Sequence, residues 1–216
     1  MTALEPDVTF TDYGLAVECA VLATWIARRK TPDRRLRGWL ALFFGTIGLA
    51  AVTGGTVHGF FPDEQSLGFG VLWPLSLLAI GGTAVSAWAI GGYVVLPTRW
   101  ARRVTAAAAV AFAGYAVVVL GVTQTFAVAI AHYAPSALFL LGAFTTRYFQ
   151  GHQFAFGLGA VSVALMLLAA MAQRAGVTVH PVYFSHNALY HAVQGVAMGL
   201  FYLTARRLLD SPTTGD

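Results

Sequence analysis

The feature that most limits the fold of this chain is a series of seven long apolar runs separated by short polar segments. A helix needs roughly 20 mainly apolar residues to cross the hydrocarbon core of a bilayer. The runs fall at about 11–28, 37–61, 69–97, 104–122, 126–145, 153–173 and 185–205. The stretch from Val104 to Phe144 is too long for one helix and divides at Thr123-Gln124-Thr125, its only polar cluster. Charged residues make up 10% of the 216, against roughly a quarter in a soluble domain. So little charge cannot clothe a compact core with polar surface, and no charged low-complexity tail points to disorder. The expected fold is all-α: a polytopic seven-transmembrane helix bundle forming a single domain, residues 1–216, with no internal repeat and no room for a soluble enzyme module.

The basic residues test this count. Arg28, Arg29, Lys30, Arg34, Arg35 and Arg37 fall between runs 1 and 2, and Arg99, Arg102 and Arg103 between runs 3 and 4. Arg147 lies between runs 5 and 6, and Arg206 and Arg207 follow run 7. Only Arg174 falls on the opposite side. Basic residues stay on the cytoplasmic side, so the N-terminus is expected outside and the C-terminus in the cytoplasm. The first ten residues hold Glu5, Asp7 and no basic residue, unlike a signal-peptide n-region, so the first run is expected to be a retained span. The net charge of +4 suggests no nucleic-acid face, because the basic residues sit in short runs between apolar stretches rather than clustered on a folded surface. Cys19 is the single cysteine and can form no internal disulfide. Trp73 and Trp100, near the two ends of run 3, fit interfacial belts. Arginine-over-lysine, alanine-rich usage suggests a GC-rich genome, hence a multi-pass protein of a bacterial inner membrane.

Ionisable groups within a membrane are costly and mark functional sites by default. With this orientation, Asp12 stands at the outer mouth of helix 1, and Glu18 about 10 Å deeper at 1.5 Å per residue. His58 lies near the outer end of helix 2, His132 about 10 Å into helix 5 and His191 about 9 Å into helix 7. His186 marks the outer start of helix 7 and His180 the preceding loop; only His152 is on the inner side. Five of the six histidines thus gather in the outer half with both acids. Asn187, Tyr190, His191 and Gln194 stand at i, i+3, i+4 and i+7, one helical stripe expected to face the bundle interior. Gly195 with Gly199, and Gly55 with Gly59, read as close-packing pairs. Pro135 deprives the Ala131 carbonyl of its helical donor and is expected to kink helix 5 beside His132.

Two chemistries fit these residues. Imidazoles suit zinc, and a catalytic zinc keeps three protein ligands plus water. His58, His191 and either His186 or Glu18 could supply them, although no HExxH or CxxC is present. The plainer reading is a helix–helix hydrogen-bond network, with Glu18 protonated against a neighbour, or a pocket for a lipid, a small ligand or a haem held by two of His58, His132 and His191. A retinal protein is excluded, since the only lysine is Lys30, in a loop.

A histidine late in helix 2 and another early in helix 7, on seven helices with an outside N-terminus, resemble the CREST superfamily, which includes alkaline ceramidases and adiponectin-receptor-like proteins. Its members share SxxxH in helix 2 and HxxxH in helix 7, and the topology is similar to the ceramidase branch. His58 and His191 match. Gly54 stands in the serine position, Asn187 replaces the first helix 7 histidine with His186 one position off register, and helix 3 lacks an aspartate. Asp12 and Glu18 loosely resemble the acidic calcium site of ceramidases. The resemblance implies a zinc-dependent hydrolase of a lipid amide or ester. On that expectation His58, His186 and His191 hold the metal, Glu18 shuttles protons, Asn187 joins the catalytic group, and Asp12, His132, Tyr190 and Gln194 line the pocket. Membrane lipids are the expected partners. The second expectation is a non-catalytic membrane protein with the same polar cluster.

Overall fold

The computed structural model describes residues 5–180 and 183–210. Within them run seven helices: α1 (Pro6–Ala27), α2 (Arg34–Phe60), α3 (Leu67–Val95), α4 (Thr98–Gly121), α5 (Phe126–Gly151), α6 (Phe154–Arg174) and α7 (His186–Asp210). No strand occurs among the described residues; His180 and Phe184 form an isolated antiparallel bridge in the α6–α7 loop. Six helices are long and apolar enough to cross a membrane. α7 is as long as the others, but His186, Asn187, Tyr190, His191 and Gln194 in its first turns lower its apolar content.

The seven expected segments are all helical, and the differences lie at their ends. α1 starts at Pro6 rather than near 11, because Pro6 occupies the first turn, where its missing N–H is harmless, and Asp7 favours the positive helix start. α2 starts at Arg34 rather than 37: the Asp33 carboxylate accepts the Leu36 N–H at 2.9 Å and caps the helix. α5 runs to Gly151, beyond 145, and ends on His152 in the left-handed region at φ 49°. His152 is exposed and caps the end of α5. α5 continues through Pro135 without interruption.

In packing order, α1, α2, α3, α5, α6 and α7 close a ring, and α4 lies outside it against α3. The two halves of the bundle are filled differently. In the half where α1 and α7 end, Phe43, Phe44, Phe144 and Phe201 are fully buried. Phe201 stacks on Phe43 at 4.7 Å and meets Phe44 and Phe144 at 5.8 Å, arrangements favoured by the ring quadrupoles.

In the other half, α2 approaches α1 through glycines. A Cβ at Gly48 would stand 3.2 Å from Cys19 Cβ, one at Gly55 2.6 Å from Asp12 Cβ, and one at Gly59 2.8 Å from Thr9 Oγ1. Small residues let backbones come this close. The half that is not plugged by rings therefore has polar groups built into a tight helix seam.

An ion pair ties the far ends of α1 and α7. Arg29 Nη2 donates to both Asp210 carboxylate oxygens, at 2.7 and 2.5 Å, and the Thr31 hydroxyl donates to the Leu209 carbonyl at 2.9 Å. The hydrogen bond to Asp210 holds the Arg29 guanidinium above its ordinary range. The Asp210 side chain is 52% exposed, and exposed pairs contribute about 0–1 kcal/mol. Asp210→Ala should accordingly cost no more than about 1 kcal/mol of unfolding free energy in a denaturant titration in micelles.

Candidate functional site

α1 and α7 start at the same end of the bundle. Asp12 is about 9 Å along α1 and His191 about 8 Å along α7, counting 1.5 Å per residue from Pro6 and His186. They meet at that level: His191 Nε2 lies 3.2 Å from Asp12 Oδ1, with 12% and 4% of the two side chains exposed. Gly55 makes room for the pair, since any side chain there would strike Asp12. Asp7 fixes the register of the two helices, its carboxylate accepting the Ser185 N–H at 2.9 Å just ahead of α7. The Nδ1 atom of His191 is buried and has no hydrogen-bond partner among the described residues. With Asp12 ionised, the proton belongs on Nε2 and Nδ1 is left as an acceptor; with Asp12 neutral, its hydroxyl donates to Nε2 and the ring proton sits on Nδ1.

A second carboxylate–imidazole pair stands above the first. His58 Nδ1 is 3.1 Å from Glu5 Oε2, with side chains 31% and 51% exposed. The His58 ring meets Trp73 edge-on at 6.5 Å. At the level of Asp12 in the α1–α2 seam, the Tyr13 and Thr56 hydroxyls are 3.0 Å apart. The site therefore grades from an exposed pair at the mouth to a buried pair below it.

Glu18 lies deeper than expected. Because α1 begins at Pro6, Glu18 is about 18 Å along a helix of about 33 Å, close to its midpoint rather than in the outer half. Its carboxyl stands over the α7 glycines: a Cβ at Gly195 would be 2.9 Å from Oε2, and one at Gly199 3.9 Å from Oε1. The expected glycine pair is present but serves to seat this carboxyl. Thr11, Gly14, Leu15 and Glu18 of α1 and His191, Ala192, Gly195, Val196 and Gly199 of α7 line a groove of about 450 Å³. Among the described residues, no donor is hydrogen-bonded to Glu18.

The polar stripe of α7 divides between two neighbours. Asn187 Oδ1 accepts from Gln173 Nε2 of α6 at 2.8 Å, which ties α6 to α7. Tyr190 and the exposed His186 line a smaller cleft of about 190 Å³ between α6 and α7, and the Tyr190 ring meets His191 at 5.2 Å. Gln194 is half-buried. His132 is not brought to this site. It stacks on Tyr115 of α4 at 4.4 Å with its Nε2 buried and unpartnered, and the Tyr115 hydroxyl donates to the Leu77 carbonyl.

Sequence reasoning found Asp12, His58, His191 and Glu18 but not their partnerships. From the sequence, Glu5 stands out only as a charge in the N-terminal segment. Its spacing from Thr9 and Asp12, at i, i+4 and i+7, was the available signal that it shares their seam with α2. Zinc would need a third ligand beside the two imidazoles. Among the described residues, no group of three or more His, Cys, Asp or Glu side chains is arranged to hold a metal ion. His58, His186 and His191 therefore do not form the expected ligand set.

Residues 8–210 match the model of a family described as "Family of unknown function (DUF6962)". No curated protein and no solved structure matches the chain.

Proposed function

The chain belongs to the DUF6962 family, and we propose that it is a seven-span membrane protein that binds an amphiphile in the groove between α1 and α7. In this reading α7 is the seventh span, the N-terminus is outside and the C-terminus is cytoplasmic. The observation that carries the proposal is the groove itself, walled by Leu15, Ala192 and Val196 with the Glu18 carboxyl on its floor. Binding sites are concave and mostly apolar, with a few placed polar groups that orient the ligand. The buried Asp12–His191 contact and the Asp7–Ser185 hydrogen bond hold α1 and α7 in register beside it. Membrane lipids are the nearest source of such a ligand, and a multi-pass protein of a bacterial inner membrane is the setting.

The test is lipid co-purification. Gly195→Leu fills the groove beside Glu18, and mass spectrometry of extracted lipids should show a species enriched on the wild type and lost from this variant. Identical profiles would sink the reading. Orientation is tested separately. A membrane-impermeant maleimide should label Gln65→Cys from outside the cell and Arg34→Cys only after the cells are opened; the reverse would invert the topology.

A zinc-dependent hydrolase is the second reading, favoured by one observation. His58 and His191 each face a carboxylate with one ring nitrogen, and the other nitrogen of His191 has no hydrogen bond among the described residues, the way metal-binding histidines are commonly held. We expect chelators to leave the melting temperature unchanged and metal analysis to find far less than one zinc per chain. One zinc per chain, lost in the His58→Ala, His191→Ala double variant, would reverse the order of the two readings.

A further inference from the structure

The donors and acceptors of the α1–α7 groove are unbalanced, and we infer from this that its ligand is an amphiphile with a primary ammonium head. This rests on the groove being a binding site and adds the chemistry of what it binds. Three lining side chains carry polar atoms: Thr11, Glu18 and His191. The Thr11 hydroxyl has one proton, already directed at the Asp7 and Val8 carbonyls at 2.8 and 3.0 Å, so its oxygen can only accept. His191 turns Nε2 to Asp12, and its other nitrogen is unpartnered. Glu18 has no donor among the described residues. The remaining lining residues are Gly14, Leu15, Ala192, Gly195, Val196 and Gly199, whose helical backbone N–H groups are spent on helix bonds.

The groove thus presents acceptors and one carboxyl, with no Lys or Arg on its walls. Unpaired ionised groups are costly in an apolar setting. A carboxylate, a phosphate or a sulfate would set anion against an ionised Glu18, and a neutral Glu18 would offer it only the single carboxyl proton. An alcohol supplies one donor and leaves the charge unanswered. An alkylammonium supplies three donors and the missing positive charge, while its chain lies along Leu15, Ala192 and Val196. A bare alkali cation answers the charge but leaves these apolar walls without an occupant.

The experiment uses the full chain in nanodiscs and three probes of equal chain length: n-decylamine, n-decanol and n-decanoate. Binding is counted by native mass spectrometry after titration. Decylamine should bind wild-type protein at one molecule per chain at least about tenfold more tightly than decanol, from one charge-assisted hydrogen bond, with decanoate weaker still. Glu18→Gln should abolish the preference for the amine, and Gly195→Leu should abolish binding of all three. Equal binding of decylamine and decanol by the wild type would overturn the ammonium inference and leave the groove as a site. Failure of every probe, with Gly195→Leu no different from wild type, would overturn the groove as well. Displacement of decylamine by sodium but not by choline, at equal ionic strength, would make the site a cation site and overturn the inference. The wild-type comparison decides the matter even if Glu18→Gln does not fold.

Discussion

Asp12→Ala should lower the unfolding free energy by roughly 3 kcal/mol, the cost of stripping a buried polar group of its partner. The substitution removes the carboxylate 3.2 Å from His191 Nε2 and leaves an imidazole whose other nitrogen is already unpartnered. The same deletion at Asp210, whose ion pair has the shorter contacts, should cost far less, because water replaces what is lost there. Burial decides between the two, not distance. The Asp12→Ala, His191→Ala double variant should cost less than the sum of the single variants, since removing both groups leaves no orphan. Unfolding in mixed micelles measures all three. Additive losses would show that the contact contributes nothing as a pair.

Gly55→Val should be more damaging still. A Cβ alone would lie 2.6 Å from Asp12 Cβ, an atom bonded to the α1 backbone that cannot swing aside as a side-chain tip can. The two helices must separate, and the Asp12–His191 contact opens with them. Overpacking of a core typically costs about 1–3 kcal/mol, and loss of the pair adds to that. The other glycines of α2 grade the effect. Gly48→Ala meets Cys19 at 3.2 Å and should be mildly destabilising, Gly54→Ala meets Ser76 at an ordinary 3.5 Å, and Gly45→Ala meets nothing. Gly45→Ala should be neutral or stabilising, since alanine is the better helix former by about 1 kcal/mol. Melting temperatures should rank Gly45→Ala above Gly54→Ala, then Gly48→Ala, then Gly55→Val. A Gly55→Val protein as stable as wild type would mean that α1 and α2 are not packed as described.

The helices were legible because apolar runs report directly on burial in core or lipid. Their ends were not, because a helix is ended by its backbone hydrogen bonds and caps rather than by loss of apolar character. Asp33 starts α2 among arginines, and α5 continues past Arg147. The start of α1 at Pro6, ahead of the apolar run, likewise puts Glu18 at mid-helix. Within the site, the α7 stripe identified His191 correctly as inward-facing. The same stripe could not show that Asn187 turns to Gln173 of α6 while His191 turns to α1, because residues spread over one face can meet two neighbouring helices. Gly55 and Gly59 were recognisable as packing residues, but what they pack against is a fact of three dimensions. His132 looked equivalent to His58 and His191 by depth, and only packing places it against Tyr115 instead.

The central claim is that the groove between α1 and α7 is a ligand site seated on Glu18. A cryo-EM map of the wild-type chain in lipid nanodiscs tests it most directly. Elongated density between Leu15 and Val196, with its head at the Glu18 carboxyl, is the predicted result. A closed α1–α7 seam, with Glu18 turned away onto a partner inside the bundle, would contradict it.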